Sequence, residues 1–406
     1  MTDLPSSLTR TKSASPLLFI VITVFIDMLG YGMITLLIPL YVKEQGGSAS
    51  LAGTLNSLYA LMQFMAGPFI GALSDRFGRK PVLLVCLVGT ALAFFMLGIA
   101  NSLAWIVAAV ALDGITGGNL TTAYAYIADV TTPQNRARGM GLVGAAFGLG
   151  AMIGPAMGGV LSQYNLHLPA FVACAIALSN LVFGWVALPE SLSASLRTRT
   201  ISWRSLNAVQ QFVGLNKLGR IGILLTSMFL LNVAFSGLQT NFPLFAQARF
   251  NWDALRIGIF FAFVGICAVF VQGVLFNWLH ARIREAYLLI GGLILMTLGL
   301  ASVAFTQRAE WLYPIVGLAA LGSGLGIPSL NSMVSTRVSA GQQGQLMGGV
   351  QAILSLALIL GPSIAGLAFD RLGSGAPYLV GAVFAAAACA MACLDLSKSR
   401  KTVAQE

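Results

Sequence analysis

Twelve apolar segments occupy most of the chain, and each is long enough to cross a bilayer, which takes about 20 residues of helix. They lie at 17–42, 51–73, 81–100, 103–127, 138–161, 168–188, 219–247, 255–279, 286–305, 310–334, 344–369 and 376–395. Only 9% of the residues are charged, whereas soluble proteins typically carry about 25%. Because backbone groups in hydrocarbon must bond to one another, each segment is predicted to be a helix. The fold class is therefore all-α integral membrane, with 12 transmembrane helices.

A polar stretch at 189–218 separates the first six segments from the last six. It predicts an N-terminal six-helix bundle at 1–188, a cytoplasmic linker at 189–218 and a C-terminal six-helix bundle at 219–406. Within the linker, apolar residues recur about every third position beside basic ones. This pattern fits either a short helix lying on the membrane surface or a solvated tether.

The two halves repeat each other in sequence. "GMGLVGAAFGLGAMIGPAMGG" at 139–159 aligns with "LMGGVQAILSLALILGPSIAG" at 346–366, which brings two Gly-Pro pairs into register. Many secondary transporters are built from two such related halves, with the substrate site between them near the middle of the bilayer. The repeat therefore predicts two pseudo-symmetric six-helix bundles.

The basic residues indicate the orientation in the membrane, because Lys and Arg favour cytoplasmic loops. Placing both termini in the cytoplasm leaves all but five of the 23 Lys and Arg residues on that side. The five exceptions are Lys43, Arg249, Arg256, Arg308 and Arg371. The opposite orientation would invert this ratio, so we expect cytoplasmic termini.

Two acidic residues, Asp27 and Asp113, lie well inside apolar segments. Insertion scales put the cost of a carboxylate there at about 2.5–3.5 kcal/mol, and such residues usually face the bundle interior and mark ion or substrate pathways. We interpret both as candidate proton-coupling residues. Two alternative roles remain for Asp27, which are pairing with a cationic substrate and a structural hydrogen bond to a neighbouring helix. For Asp113 a structural role competes closely with the functional one.

The loop "GALSDRFGRKPVLL" at 71–84 resembles the signature loop of the major facilitator superfamily. The residues that carry the likeness are Gly71, Asp75, Arg76, Gly78, Arg79 and Lys80. The resemblance implies a gating loop whose charge-assisted contacts break and reform as the transporter changes its access state. A loop that is basic only because it is cytoplasmic would explain the arginines, but not the ordered glycines and aspartate.

The fifth segment carries "GAAFGLGAMIGPAMGG", which is similar to the motif typical of antiporters in this superfamily. The motif residues are Gly144, Gly148, Gly150, Gly154, Pro155, Gly158 and Gly159. Glycines four residues apart make a smooth face for close helix approach, and proline removes a backbone donor and can kink the helix. Helix packing alone is the alternative explanation for the glycines.

The stretch at 114–150, together with "FIDMLGYGMITLLIPLY", resembles the tetracycline/proton antiporters and related twelve-helix drug exporters. The resemblance implies proton-coupled export of tetracycline-like or other lipophilic drugs by alternating access, in a bacterial inner membrane. One departure concerns proton coupling, since this family usually has an arginine where this chain has Val110. A carrier without proton coupling, either a facilitator or an uptake system for an endogenous metabolite, is therefore the alternative.

By analogy with the superfamily, segments 1, 4, 7 and 10 are expected to line a central cavity. The candidates for the cavity are Tyr31, Asn119, Tyr124, Asn232, Gln239, Asn241 and Asn331, with Gln351 on segment 11. Amides and aromatic rings in this arrangement suit an amphipathic, partly planar organic molecule. Any single one of them can equally join two helices.

The expected partners are a small lipophilic substrate, protons and the lipid bilayer, with no nucleic acid and a monomeric chain. We expect no cofactor and no metal, because the five cysteines lie in apolar segments without the histidines or carboxylates of a metal site. The sequence contains no nucleophile–base set and no phosphate-binding loop, so an enzyme is not predicted. Uphill transport would have to use an ion gradient.

Overall fold

The computed structural model describes residues 16–117, 119–193, 195, 197, 221–338 and 342–403, and within these ranges it contains helices and no strand. Twelve helical stretches are long and apolar enough to cross a membrane, which confirms the predicted fold class. Numbered span 1 to span 12 in chain order, they are Pro16–Glu44, Ala49–Phe77, Arg79–Gly98, Leu103–Val130, Gly139–Ser162, Leu168–Ala187, Gly222–Phe250, Ala254–His280, Glu285–Phe305, Ala309–Thr336, Leu346–Leu372 and Ala376–Ser397.

Three spans are interrupted where the sequence predicted single helices. Span 1 consists of Pro16–Thr35 and Ile38–Glu44, and Pro39 lies in the first turn of the second helix. Span 4 consists of Leu103–Thr116 and Asn119–Val130 and is broken at Gly117. Span 8 contains a π-helical turn at Val271–Leu275 between Ala254–Phe270 and Phe276–His280. Proline and glycine, which disfavour a continuous helix, account for the first two interruptions.

The remaining spans are carried by single long helices. These helices are Ala49–Phe77, Arg79–Gly98, Pro133–Ser162, Leu168–Ala187, Gly222–Phe250, Glu285–Phe305, Leu312–Thr336, Gln343–Leu372 and Ala376–Val403. A short 3₁₀ turn at Ala309–Trp311 leads into span 10. Most of the proposed linker at 189–218, including its possible surface helix, lies outside the described residues.

The first six spans pack mainly among themselves, as do the last six, and the two sets meet along two seams. One seam joins span 2 to span 11, and the other joins span 5 to span 8. Both seams depend on glycine. A Cβ atom at Gly366 would lie 2.5 Å from the Ala49 carbonyl oxygen, and one at Gly258 would lie 2.6 Å from the Pro155 carbonyl oxygen. The halves therefore meet backbone to backbone, as small residues allow in membrane helices.

The seams lie at one end of the molecule, here called the closed end, which carries the loops at 45–48 and 373–375. The opposite end, called the open end, carries Gly78 and the start of span 5. There a Cβ atom added at Gly141, Gly144 or Gly348 would meet no atom within 4 Å. The close backbone contacts between the halves thus lie at the closed end, whereas these three glycines at the open end have free space around them.

The glycine seam yields a prediction for Gly258→Ala. The added methyl group would press on the Pro155 carbonyl and on the Cα atom of Gly159, 3.2 Å away, and overpacking of this kind typically costs about 1–3 kcal/mol. We expect a lower midpoint of thermal unfolding in detergent. Gly291→Ala is the control, because a Cβ atom there meets nothing within 4 Å. Equal midpoints for the two variants would contradict the packing argument.

Candidate functional site

Asp27 lies on span 1 and faces other helices of the first half. Its carboxyl group interacts electrostatically with Asp113 of span 4, Tyr59 of span 2 and Cys86 of span 3. The residue is partly buried. Asp27 is the one acidic residue of the apolar segment 17–42. Its side chain therefore points into the first half of the molecule.

Asp113 is buried in the same region, with 8% of its surface exposed. The Thr90 hydroxyl of span 3 is hydrogen-bonded to its carboxyl group. Thr90 also lies 3.4 Å from the hydroxyl of Thr116, which in turn donates to the Leu112 carbonyl at 3.0 Å. Asp113 thus has a polar neighbourhood built from spans 3 and 4.

Two tyrosines and a glutamine border the acidic pair. The rings of Tyr31 and Tyr59 lie 5.3 Å apart at an interplanar angle of 31°, and both tyrosines interact electrostatically with Asp113. Gln63 donates to the Gly117 carbonyl oxygen at 3.0 Å. Because Gly117 is where span 4 breaks, Gln63 provides a partner for a carbonyl at the break.

Val110, which stands where the resemblance implies an arginine, is buried with 1% of its surface exposed. It belongs to the main apolar cluster, together with Ile106 and Ala109. The position therefore contributes apolar packing and no positive charge to span 4.

The loop between spans 2 and 3 forms a charge cluster around the buried Arg79, which is 7% exposed. The Arg79 guanidinium forms a salt bridge with Asp75 and another with Asp129 at the end of span 4, at 3.0 Å. It also donates to the Ser74 hydroxyl at 2.7 Å. Arg79 therefore ties the end of span 2 to the end of span 4.

Glu190, just after span 6, caps the N-terminus of span 3. Its carboxylate accepts from the backbone N–H of Arg79 at 2.9 Å and from that of Lys80 at 3.3 Å. A helix N-terminus favours such a negative charge. Gly78 has φ +108°, and a Cβ atom there would overlap the Glu190 carboxylate, so both its conformation and the space require glycine.

The other loop residues lie at the edge of this cluster. Lys80 Nζ donates to the Trp185 carbonyl at 2.7 Å, and the guanidinium of Arg76 lies over the Phe77 ring at 5.3 Å. A Cβ atom at Gly71 would lie 3.9 Å from the Thr121 side chain. Gly71 therefore faces the second helix of span 4.

The glycine motif of span 5 packs against two neighbouring spans. Cβ atoms at Gly150, Gly154 and Gly158 would press on residues 28–33 of span 1, and one at Gly159 would press on span 8. Gly144 and Gly148 contact no neighbour in this way, because a Cβ atom there meets nothing within 4 Å. Close helix approach was expected at two glycine pairs, Gly144/Gly148 and Gly154/Gly158. Only the second pair packs closely against another helix in this structure. The helix Pro133–Ser162 runs through Pro155 without a break.

The candidate cavity residues differ in their exposure. Tyr124, Gln239, Asn331 and Gln351 are exposed, Tyr31 and Asn232 are intermediate, and Asn241 is buried. Asn232 donates to the carbonyl of Met228 at 2.8 Å within its own helix. Asn119 begins the second helix of span 4, but its side chain lies outside the described part of the chain. Asn241 is 1% exposed, and its Oδ1 atom has no partner among the described residues.

Several residues in these clusters were missed by the sequence analysis. Asp129 and Glu190 complete the charge cluster, and Tyr59, Gln63 and Thr90 surround the acidic pair. Their signal was weak, because a single polar residue in or beside an apolar segment is common. Gln63 and Thr90 also lie on segments 2 and 3, which were not expected to line the cavity.

The cap on span 3 yields a prediction for Glu190→Gln. Loss of the charge should weaken the interaction with the helix N-terminus by about 0.3–1 kcal/mol. We therefore expect roughly two- to fivefold faster amide hydrogen exchange in the first turn of span 3, measured by mass spectrometry. Glu310→Gln, at an exposed glutamate in the short turn that begins span 10, is the control. Unchanged exchange in Glu190→Gln would rule out the capping role.

The model of the Major Facilitator Superfamily matches residues 20–348. The tetracycline resistance protein of class C from Escherichia coli is 35% identical over 377 residues, which are 91% of this chain and 94% of that protein. Major facilitator superfamily domain-containing protein 10 from Bos taurus is 28% identical over 83% of this chain and 77% of its own length.

Solved structures share the fold. The human organic anion transporter MFSD10 has a TM-score of 0.70 and 23% identity, covering 94% of this chain and 100% of that one. The nucleoside transporter NupG has a TM-score of 0.73 and 14% identity, covering 94% and 98% of the two chains. This chain belongs to the Major Facilitator Superfamily and is a multi-pass membrane transporter.

Proposed function

We propose that the protein is a proton-coupled antiporter that exports tetracycline-like or other lipophilic drugs. The observation that carries the proposal is that the carboxyl groups of Asp27 and Asp113 are close enough inside the first half to interact electrostatically. Two neighbouring carboxylates in a poorly hydrated site are costly when both are charged. Binding one proton reduces that cost, so the pair is suited to take up and release protons.

The substrate class rests on the relatives and on the exposed polar groups. The class C, E and B relatives are tetracycline resistance proteins. Tyr124 of span 4, Asn331 of span 10 and Gln351 of span 11 are exposed, so they are free to contact a substrate that enters between the halves. Such a mixture of rings and amides recognises a planar amphipathic molecule.

The access state follows from the predicted orientation. The basic loops place the open end of the molecule in the cytoplasm, so this conformation would admit a compound from the cytoplasm or the inner leaflet. Export then requires the open end to close and the closed end to part. The bacterial relatives favour a location in the bacterial inner membrane, with both termini in the cytoplasm.

The second candidate is a carrier without proton coupling that moves an endogenous metabolite. It is favoured by Val110, which is buried among apolar side chains and adds no positive charge near Asp113. In this case, Asp113 would stabilise the break in span 4 through its local hydrogen bonds. A substrate flux that responds only to the substrate gradient would support this candidate.

The proton-coupling role yields a prediction for Asp27→Asn. Neutralising this residue removes one of the two proton acceptors, so we expect substrate-driven proton movement to be lost in liposomes loaded with a pH-sensitive dye. A panel of lipophilic compounds, including tetracycline, identifies the substrate in the unmodified protein. Glu310→Gln should behave as the parent does. Retained coupling in Asp27→Asn would show that Asp27 is not the essential proton acceptor and would move the proton site to Asp113 or to another group.

The gating loop yields a separate prediction for Asp75→Asn. Arg79 keeps Asp129 as a partner in this variant, so the loop should fold but hold its conformation less firmly. We expect substrate exchange to be several-fold slower, while the dissociation constant of the substrate is unchanged. Exchange rates in liposomes and equilibrium binding in detergent measure the two quantities. A turnover equal to that of the parent would argue against a gating contact.

A further inference from the structure

Asp370, at the end of span 11, contacts the first turn of span 2 in the other half of the molecule. Its carboxylate accepts from the backbone N–H of Ala49 at 3.1 Å and from that of Ser50 at 2.8 Å. The Ser50 hydroxyl donates to the same carboxylate, and the Ser48 hydroxyl is hydrogen-bonded to it as well. A residue of the second half therefore caps a helix of the first.

The cap lies at the closed end, where spans 2 and 11 are already in close contact. The hydroxyl groups of Ser57 and Ser363 lie 2.8 Å apart further along the same seam. Gly53 has room only for a hydrogen atom, because a Cβ atom there would overlap the Pro362 carbonyl. The short separation of the two backbones lets a side chain as short as aspartate reach across.

The chemistry of this contact suits a gate that must open. The first N–H groups of a helix have no partner within the helix, and the helix dipole favours an anion beside them. Asp370 is exposed, so water can replace the protein partners on both sides when the halves separate. The contact therefore stabilises closure without leaving buried groups unsatisfied on opening.

Among the described residues, the second seam has no equivalent carboxylate cap across the halves. Asp253, at the start of span 8, accepts from the backbone N–H of Arg256 at 2.9 Å and so caps its own helix. Close contact there involves Gly159 with Ala254 and Gly258 with Pro155. In the described part of the chain, the closed end thus carries two aspartate helix caps, one between the halves and one within a half.

We propose that Asp370 is a positioning residue that sets the balance between the closed and parted arrangements of the closed end. It acts through the N-terminus of span 2 and touches no substrate. The proposal rests on the alternation of the two halves put forward above, but not on the identity of the substrate or on proton coupling. Removing the carboxylate should shift the population toward the parted arrangement.

The test is a distance measurement between spin labels in protein reconstituted in lipid nanodiscs, without substrate. The five native cysteines are first replaced. Tyr164→Cys and Leu372→Cys label the closed end of the two halves, and Leu142→Cys and Met347→Cys label the open end; all four positions are exposed. Each pair is measured in the parent, in Asp370→Ala and in Asp253→Ala.

In Asp370→Ala, we expect a several-fold larger population with a longer distance at the closed end and, in parallel, one with a shorter distance at the open end. Asp253→Ala should leave both distributions as in the parent. Ser50→Ala, which removes one donor and disturbs the fold less, should shift both pairs in the same direction by a smaller amount. It keeps the test decisive if Asp370→Ala folds poorly.

Unchanged distributions in Asp370→Ala, or in Ser50→Ala if only that variant folds, would overturn the proposal, even if thermal stability falls. Equal shifts in Asp370→Ala and Asp253→Ala would overturn it too, because the effect would then come from the loss of any helix cap. The distances are measured without substrate or pH gradient, so failure here is separate from failure of the transport assay.

Discussion

Hydrocarbon offers no hydrogen-bond partner to a peptide group, and this constraint shapes the structure as a whole. It makes every long apolar segment helical. Wherever a helix is interrupted, another group must form the hydrogen bonds that the backbone can no longer form within the helix. Span 4 shows the consequence at Gly117, where the side chain of Gln63 reaches from span 2 to the carbonyl oxygen. The same break lies one turn beyond Asp113. The break in span 4 therefore lies close to the polar groups around Asp113.

The first N–H groups of a helix also lack partners within the helix. At two helix ends a carboxylate from elsewhere in the chain accepts hydrogen bonds from them. Glu190 caps span 3 from within the first half and is held beside Arg79 and Gly78. Asp370 caps span 2 from the opposite half and is exposed. The first contact can persist while the halves move, because both partners move together. The second would have to break if the closed end parts, so under the proposed alternation of the halves the same chemistry has a static role in one place and a movable role in the other.

The twelve spans could be predicted because length and apolarity are local properties of the sequence. The charge cluster could be predicted only in part, since Arg79 is joined by Asp129 and Glu190, which lie 50 and 111 residues further along the chain. Nor does the sequence tell which glycines touch a neighbour. Gly144 and Gly154 belong to one motif, but only Gly154 packs against span 1 in this structure. That difference depends on how the neighbouring spans pack around each position, which no local pattern encodes.

Val110 stands where the family usually has an arginine, so this position adds no positive charge to the first half, and any transport mechanism has to work without that charge. A guanidinium near Asp113 would stabilise the ionised carboxylate and weaken its tendency to bind a proton. Without that charge, two acids share the interior of the first half, with Thr90 and the ring pair Tyr31–Tyr59 around them. In the proposed antiport, a proton held by this pair would reduce the negative charge of the site and so lower the cost of burying it in poorly hydrated surroundings. Val110 therefore argues against a proton route that depends on an arginine at this position, and any proton coupling by this chain would have to use the two carboxyl groups instead.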